Sequence, residues 1–269
     1  MKKKIFSLFC GVAILAMLIS AAALVSCSDD EENSSSGKSN RTFNVNGVEF
    51  KMVYVEGGTF MMGSDDSEAE KDEQPVHKVS LNDYYIGETE VTQELWLAVM
   101  GSNPSCFEGV NRPVEQVSWY DCKGFIAELN RLTGESFCLP TEAQWEFAAR
   151  GGIHSKGYEY SGSNGVNYVG WYCENVYVDY YGTQPVATKQ SNELGIYDMS
   201  GNVWEWCEDW RGEYTSNAVV DPQGPTSGSY RVLRGGCWKE FDTCCRCTLR
   251  CCSLPTNTLN ILGLRLALK

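Results

Sequence analysis

Hydrophobic positions along the chain change period several times, and each change marks a different kind of element. From Thr42 to Val55 apolar residues nearly alternate with polar ones: Phe43, Val45, Val48, Phe50, Met52, Tyr54 and Val55. That spacing predicts strand, and Gly57-Gly58 then predicts a tight turn into a further strand ending near Met62-Gly63. Acidic residues from Asp65 to Glu73 read as an exposed loop. Strand character returns at Val76, Val79 and Leu81 and continues through Tyr84, Tyr85 and Ile86.

Two or three short amphipathic helices follow. Thr92 is placed to cap one carrying Leu95, Trp96 and Val99, stopped near Gly101. Ser118 with Asp121 opens another, Trp119 to Leu132, in which Phe125, Ile126, Leu129 and Leu132 share a face before Gly134. Thr141 with Gln144 opens Glu142 to Arg150, stopped by Gly151-Gly152. Beyond Gly152, Gly, Tyr, Asn and Ser dominate and little regular structure is expected. The class is α+β, with few short strands and helices and much irregular chain.

The segment Arg231–Leu266 opens with a Gly-Gly turn and closes with an apolar run, and it holds six of the thirteen cysteines. Its middle shows neither period, so it reads as a long surface loop held at both ends. A loop of that length in a compact domain is usually functional or disordered.

The first residues set the compartment. Lys2, Lys3 and Lys4 precede an apolar run, Ile5 to Val25, with the n-region and h-region of a secretory signal. It ends in Leu24-Val25-Ser26-Cys27, which resembles the lipobox of bacterial lipoproteins. Cleavage there makes residues 1–26 a signal peptide and leaves a lipidated Cys27 as the new N-terminus, and a retained membrane anchor is the alternative. Residues 27–42 then form an acidic, Ser-rich tether. Its acidic start resembles the signal that sends some Gram-negative lipoproteins outward, which places the chain on the outer membrane and at the cell surface; a plain solvated spacer is the other reading. A net charge of −13 argues against nucleic acid as a partner.

Several phrases occur in order: GGTFMMGS at Gly57–Ser64, ETEVTQELW at Glu88–Trp96, LPTEAQWEFAARGG at Leu139–Gly152, NELGIYDMSGNVWEW at Asn192–Trp206, then RVLRGG and LGLRLA. Together they resemble the sulfatase-modifying-factor, or formylglycine-generating-enzyme, family. The resemblance covers residues 43–269 as one domain and implies a C-type-lectin-like fold. Its enzymatic members oxidise a sulfatase cysteine with copper and oxygen, using two cysteines on the loop after the last Gly-Gly. Counted from Gly236, those fall at the fourth and ninth residues, which here are Glu240 and Cys245. A carboxylate is a hard ligand and does not replace a thiolate on copper(I). Cys245 is therefore the one catalytic candidate, and Cys237, Cys244 or Cys247 is left to supply a second sulfur. A three-histidine iron branch is excluded by residue count, because His77 and His154 are the only histidines; both read as surface or turn residues.

The family also binds calcium just before its Trp-Glu-Trp. The matching positions are Asp198, Gly201, Val203 and Glu205, two carboxylates and two backbone carbonyls, which suits a hard cation. A turn in which Asp198 caps and Glu205 forms a salt bridge is the alternative. Trp204 and Trp206 are expected in the core, and Trp210 is a candidate pocket wall.

Eleven cysteines remain once the signal is removed and Cys27 is lipidated, so full pairing is impossible. One or two disulfides are open to the scattered Cys106, Cys122, Cys138, Cys173 and Cys207. The Cys-Cys and Cys-x-Cys spacings of the terminal cluster do not match common zinc sites. Phe241 to Arg265 lacks Lys, Glu, Gln, Met and Trp, as expected where the adenines of AAC codons have been randomised. This resembles the variable protein of a diversity-generating retroelement, with Lys239 and Glu240 in the fixed part; ordinary drift is the other explanation. The expected function is a lipoprotein binding a protein or glycan ligand through Cys237, Phe241, Asp242, Thr243, Cys244, Cys247, Thr248, Leu249, Cys251, Cys252 and Leu254. An oxidase acting on sulfatase cysteines and a purely structural surface lipoprotein are the alternatives.

Overall fold

The structure is a computed structural model, and it describes residues 38–176 and 181–269. The signal peptide, Cys27 and most of the tether lie outside those residues, as do Tyr177 and Tyr180. Strand β1 (Arg41–Val45) pairs antiparallel with β2 (Val48–Val55). Asn46 and Gly47 make the turn, both with positive φ, as a two-residue hairpin of right-handed strands requires. Strands β3 (Gly58–Met62), β4 (His77–Leu81) and β5 (Tyr84–Gly87) follow where the alternation placed them.

The helices α1 (Gln93–Met100) and α2 (Trp119–Thr133) have the caps their sequences predict. Thr92 Oγ1 accepts the Leu95 N–H at 3.2 Å, Ser118 and Asp121 form a capping box, and Gly101 and Gly134 end the two helices in the left-handed conformation. Stacked rings of Trp96 and Phe125, 4.8 Å apart, join them. Leu132 is partly exposed at the end of α2 and does not share the burial of Phe125, Ile126 and Leu129.

After β6 (Phe137–Cys138) comes α3 (Glu142–Ala149), which departs from expectation. It is buried on every side, including Glu142, Gln144 and Glu146. Arginines from elsewhere neutralise its two glutamates, so a polar face that looked like a solvent face sits inside. Asp209 accepts the Glu142 N–H at 2.9 Å, filling an orphan donor of the first turn. Burial, and then Glu142, push Asp209 up to about 7. In the unfolded chain this carboxyl ionises near its ordinary value, so the native state holds its proton longer. The stability it contributes is complete below about pH 4 and is lost as pH rises toward neutrality. We expect Asp209→Asn to flatten this decline, read as urea midpoints across that range.

The helical turns α4 (Val166–Val169) and α5 (Cys173–Val176) interrupt the Gly- and Tyr-rich stretch. Strand β7 (Trp204–Trp210) is buried on both faces, with Trp204 and Trp206 in the cluster under α1 and α2 and Cys207 in the cluster around α3. The remaining strands are β8 (Val219–Val220), β9 (Arg231–Arg234), β10 (Cys251–Ser253), β11 (Leu262–Gly263) and β12 (Ala267–Leu268). They complete three sheets, ordered β1-β2-β5-β12-β6, β10-β9-β7-β11 and β3-β4-β8. The last strand enters the first sheet between β5 and β6, so the segment after β9 is fixed at both ends by strand pairing.

One expectation needs correction. His77 is not a surface residue: it is 6% exposed and packs on the Tyr214 ring, 4.6 Å away. Trp210 does line a pocket, which it shares with Arg250 of the terminal segment. The Arg231 guanidinium packs on the rings of Trp210 and Trp119, 3.6 and 3.8 Å from their centres.

Candidate functional site

The terminal segment is less of a surface loop than its sequence implied. Gly235 and Gly236, both at positive φ, turn the chain out of β9. A Cβ on Gly236 would lie 2.7 Å from the Cys244 carbonyl oxygen and 2.9 Å from Cys245 Sγ, so the returning chain presses directly on this turn. Cys237 and Trp238 point inward, a 3-10 turn spans Asp242–Cys245, and β10 runs back along β9 with Cys251 opposite Leu233.

The expected ligand-binding residues divide into two groups. Phe241, at 64% exposed, stands out with Asp242 and Thr243, and Leu254, at 43%, stands out further on. Cys244, Thr248, Leu249, Cys251 and Cys252 are half-buried. Cys237 and Cys247 belong to the interior, which corrects their reading as surface residues; Cys247 Sγ donates to the Ala149 carbonyl at 3.5 Å, on the α3 side.

Arginines that the sequence did not single out hold the segment down. Arg246 reaches Glu73 through Nη1 at 3.0 Å and Nη2 at 2.7 Å. Arg250 grips Glu142 with Nε and Nη2, both at 2.6 Å. Arg234, at the end of β9, pairs with Glu146 and donates to the carbonyls of Cys247 and Thr248. Burial pushes the Glu142 carboxyl up, but Arg250 outweighs it and holds the group below the usual carboxylate range. Such bidentate, charge-assisted pairs give geometry as well as energy.

The expected calcium segment lies directly beneath. Asp198, Gly201 and Asn202 all have positive φ, which folds residues 198–203 into a tight turn. Gly201 N–H donates to the Gly235 carbonyl at 2.7 Å, Trp238 N–H to the Asn202 carbonyl at 2.8 Å, and Ser200 Oγ to the Cys245 carbonyl at 2.9 Å. The turn is therefore the footing of the terminal segment. Asp198 Oδ2 accepts from Ala187 N at 2.7 Å, while Oδ1 is buried with no hydrogen-bond partner. Burial raises the Asp198 pKa to about 6. Glu205 is in a buried ion pair with Arg265 at 2.7 Å.

Two residues here escaped sequence reading. Asn202 donates its side-chain amide to Glu90 Oε2 at 2.7 Å and accepts from Gln184 N at 2.9 Å. Glu90, 1% exposed, also accepts from Val203 N at 3.1 Å. Burial, then Asp198 and Glu205, push the Glu90 carboxyl well above its ordinary range. The only signal of either was position within a family phrase.

The family described as sulfatase-modifying factor enzyme 1-like domain matches residues 39–269. The chain belongs to this family. Its fold is accordingly the α+β, C-type-lectin-like one. It is 35% identical over 234 residues to the chaperone protein LppX of Paenibacillus barcinonensis, covering 70% of this chain and 78% of that one. It is 30% identical over 283 residues to the formylglycine-generating enzyme of Streptomyces coelicolor, covering 80% and 88%. Among solved structures, Treponema denticola variable protein 1 superposes with a TM-score of 0.78 at 35% identity, covering 85% of this chain and 98% of that one.

Within this sulfatase-modifying-factor frame, one of the two cysteine positions used by the family's oxidases holds a cysteine and the other a carboxylate. Glu240 occupies the first cysteine position and accepts a long hydrogen bond, 3.9 Å, from Cys244 Sγ. Cys245, the second position, is fully buried among Tyr160, Val166 and Cys173. Burial pushes the Cys245 thiol well above its ordinary range and the Cys237 thiol up to about 12. Of the spare sulfurs, Cys247 faces α3 instead. All eleven cysteines among the described residues are free thiols.

Beside the segment lies a cleft of about 580 Å³ whose walls include Met61, Asp66, Tyr158, Arg246 and Thr248. Two residues of the terminal segment thus face a concave surface as well as the outer crest.

Proposed function

We propose that this protein is a lipid-anchored binding protein of the outer membrane, exposed at the cell surface, which presents its terminal segment to a protein or glycan ligand and has no oxidase activity. The reading rests on one arrangement: exposed Phe241, Asp242, Thr243 and Leu254 on a frame in which Arg234, Arg246 and Arg250 are committed to buried carboxylates. Crest residues can change without disturbing that frame, which is the requirement for a variable recognition surface on a rigid scaffold. Similarity to a structure named variable protein 1 supports a scaffold that carries a variable segment. The composition of residues 241–265, which lacks Lys, Glu, Gln, Met and Trp, fits the same role.

The test pairs stability with binding. Phe241→Ala and Leu254→Ala should each change folding stability by no more than about 0.5 kcal/mol, as surface substitutions do. A glycan and extracellular-protein array probed with the wild-type protein should yield a ligand whose signal the double variant loses. Copper-loaded protein that converts a cysteine-containing peptide to the aldehyde, followed by mass spectrometry, would overturn the reading in favour of an oxidase.

A further inference from the structure

We propose that the pocket lined by Trp210, Tyr214 and Arg250 receives a primary ammonium group on a short unbranched apolar arm, with Asp209 as its anion. This pocket of about 140 Å³ shares no wall residue with the cleft of about 580 Å³ beside the terminal segment. Met62, His77 and Ala143 form buried walls, and exposed Glu213, Thr215 and Pro225 form its mouth. A largely apolar lining with a few placed polar groups is the usual make-up of a small-ligand site.

Charge decides what the pocket takes. Asp209, on β7, is 5% exposed. Its Oδ2 accepts the Glu142 N–H at 2.9 Å, and no side chain among the described residues donates to either oxygen. The cations nearby are engaged elsewhere. Arg250 grips Glu142, and Arg231 donates to the Glu208 carbonyl while it packs on Trp119 and Trp210. Arg231 acts on Asp209 through space, but Glu142 acts on it more strongly and in the opposite sense. Arg250 and Glu142 cancel, which leaves Asp209 inside and Glu213 at the mouth as surplus negative charge. A buried carboxylate is costly to ionise alone, and a cation entering from solvent removes that cost.

The lining selects an organic cation. No group of three His, Cys, Asp or Glu among the described residues is placed to hold a metal ion. Guanidiniums already lie over Trp210, at 3.6 Å, and over Tyr214, at 3.7 Å, so the attraction comes from the carboxylates and the rings serve as walls. An ammonium brings three N–H donors, and the pocket holds acceptors for them. One is Asp209. Another is His77: its Nδ1 lies 3.1 Å from the Pro75 carbonyl, which can only accept, so Nε2 of the neutral ring is the acceptor. Met62 and Val219 line the space for the arm.

Binding through Asp209 depends on pH. Burial and then Glu142 hold its carboxyl up at about 7. Glu142, Glu208 and Arg231 act on it from neighbouring positions, and His77, Tyr214, Glu213 and Arg250 line the pocket with it. The ammonium requires the ionised form. Below about pH 7 a proton must leave first, so affinity falls, approaching about 10-fold per pH unit; above it, affinity is level until the amine itself deprotonates near about pH 10.

The experiment titrates the full chain with n-butylammonium chloride and follows the Trp210 indole by NMR. At about pH 8 the signal should shift and saturate, and n-butanol, of the same length without the charge, should leave it in place. Asp209→Asn, an isosteric change, should weaken binding on the order of 10- to 100-fold and abolish its pH dependence. Should that variant fail to fold, calorimetry of the wild type at about pH 6 in two buffers decides, because each ligand bound should release close to one proton. Nα-acetyl-lysine methylamide separates the sources: affinity equal to that of butylammonium assigns a protein lysine, and weaker binding assigns a free amine. No shift at tens of millimolar butylammonium, an equal response to butanol, an Asp209→Asn variant that binds as wild type does, or binding without proton release each overturns the proposal. The ligand of the exposed terminal residues is scored separately, by the array.

Discussion

Replacing Arg250 with methionine is expected to cost about 3–5 kcal/mol of folding stability, the usual penalty for leaving one partner of a buried ion pair alone. Arg250 donates two short hydrogen bonds to Glu142, lies 3.7 Å over the Tyr214 ring and donates to the Asp72 carbonyl at 2.8 Å. Without it, Glu142 remains inside α3 with Arg234 as its nearest cation, 3.9 Å away. That residual partner sets the loss at the lower end of the range. Urea denaturation gives the measurement, and the double variant Arg250→Met/Glu142→Gln should recover most of the loss by removing the stranded charge. Recovery would show that the penalty comes from an unpaired carboxylate. A single variant as stable as wild type would mean that Arg250 does not anchor the segment.

Gly201→Ala is expected to destabilise by at least about 2–3 kcal/mol, combining left-handed strain with a backbone clash. Gly201 has φ +90°, and a Cβ there would sit 2.2 Å from the Trp171 carbonyl oxygen. Neither side can yield cheaply, because Asn202 N–H donates to that same oxygen at 2.8 Å. Gly134→Ala is the control. It also has positive φ, +73°, but nothing lies within 4 Å of its Cβ position, so only the conformational preference of about 1–2 kcal/mol is lost. A difference in melting temperature between the two variants measures the clash itself. Because residues 200–202 carry the terminal segment, Gly201→Ala should also weaken ligand binding at the crest, whereas Gly134→Ala should leave it intact.

The parts legible in the sequence are those decided by neighbours along the chain. Thr92, Ser118 and Thr141 cap helices because the groups they satisfy lie three residues away, and Gly101 and Gly134 end helices through their own φ. Alternation from Phe43 to Val55 marks paired strands, although it conceals the turn at Asn46-Gly47. The Gly-Gly frame of the terminal segment was readable for the same reason. Helix α3 was misread as amphipathic because its polar residues carry no mark that arginines will meet them inside.

What the sequence alone determined is the scaffold: its class, its family phrases, the helix boundaries and the two fixed ends of the terminal segment. Only the tertiary structure decided which residues of that segment face out. Arg246 meets Glu73 across 173 residues and Arg250 meets Glu142 across 108, and these pairs turn Cys245 and Cys247 inward while leaving Phe241 in solvent. Glu90 and Asp198 become neighbours in the same way, through a turn and a strand end far apart in the chain. Capping and periodicity act over a few residues, but charge compensation in a buried site depends on which distant side chains arrive together, and no local pattern records that.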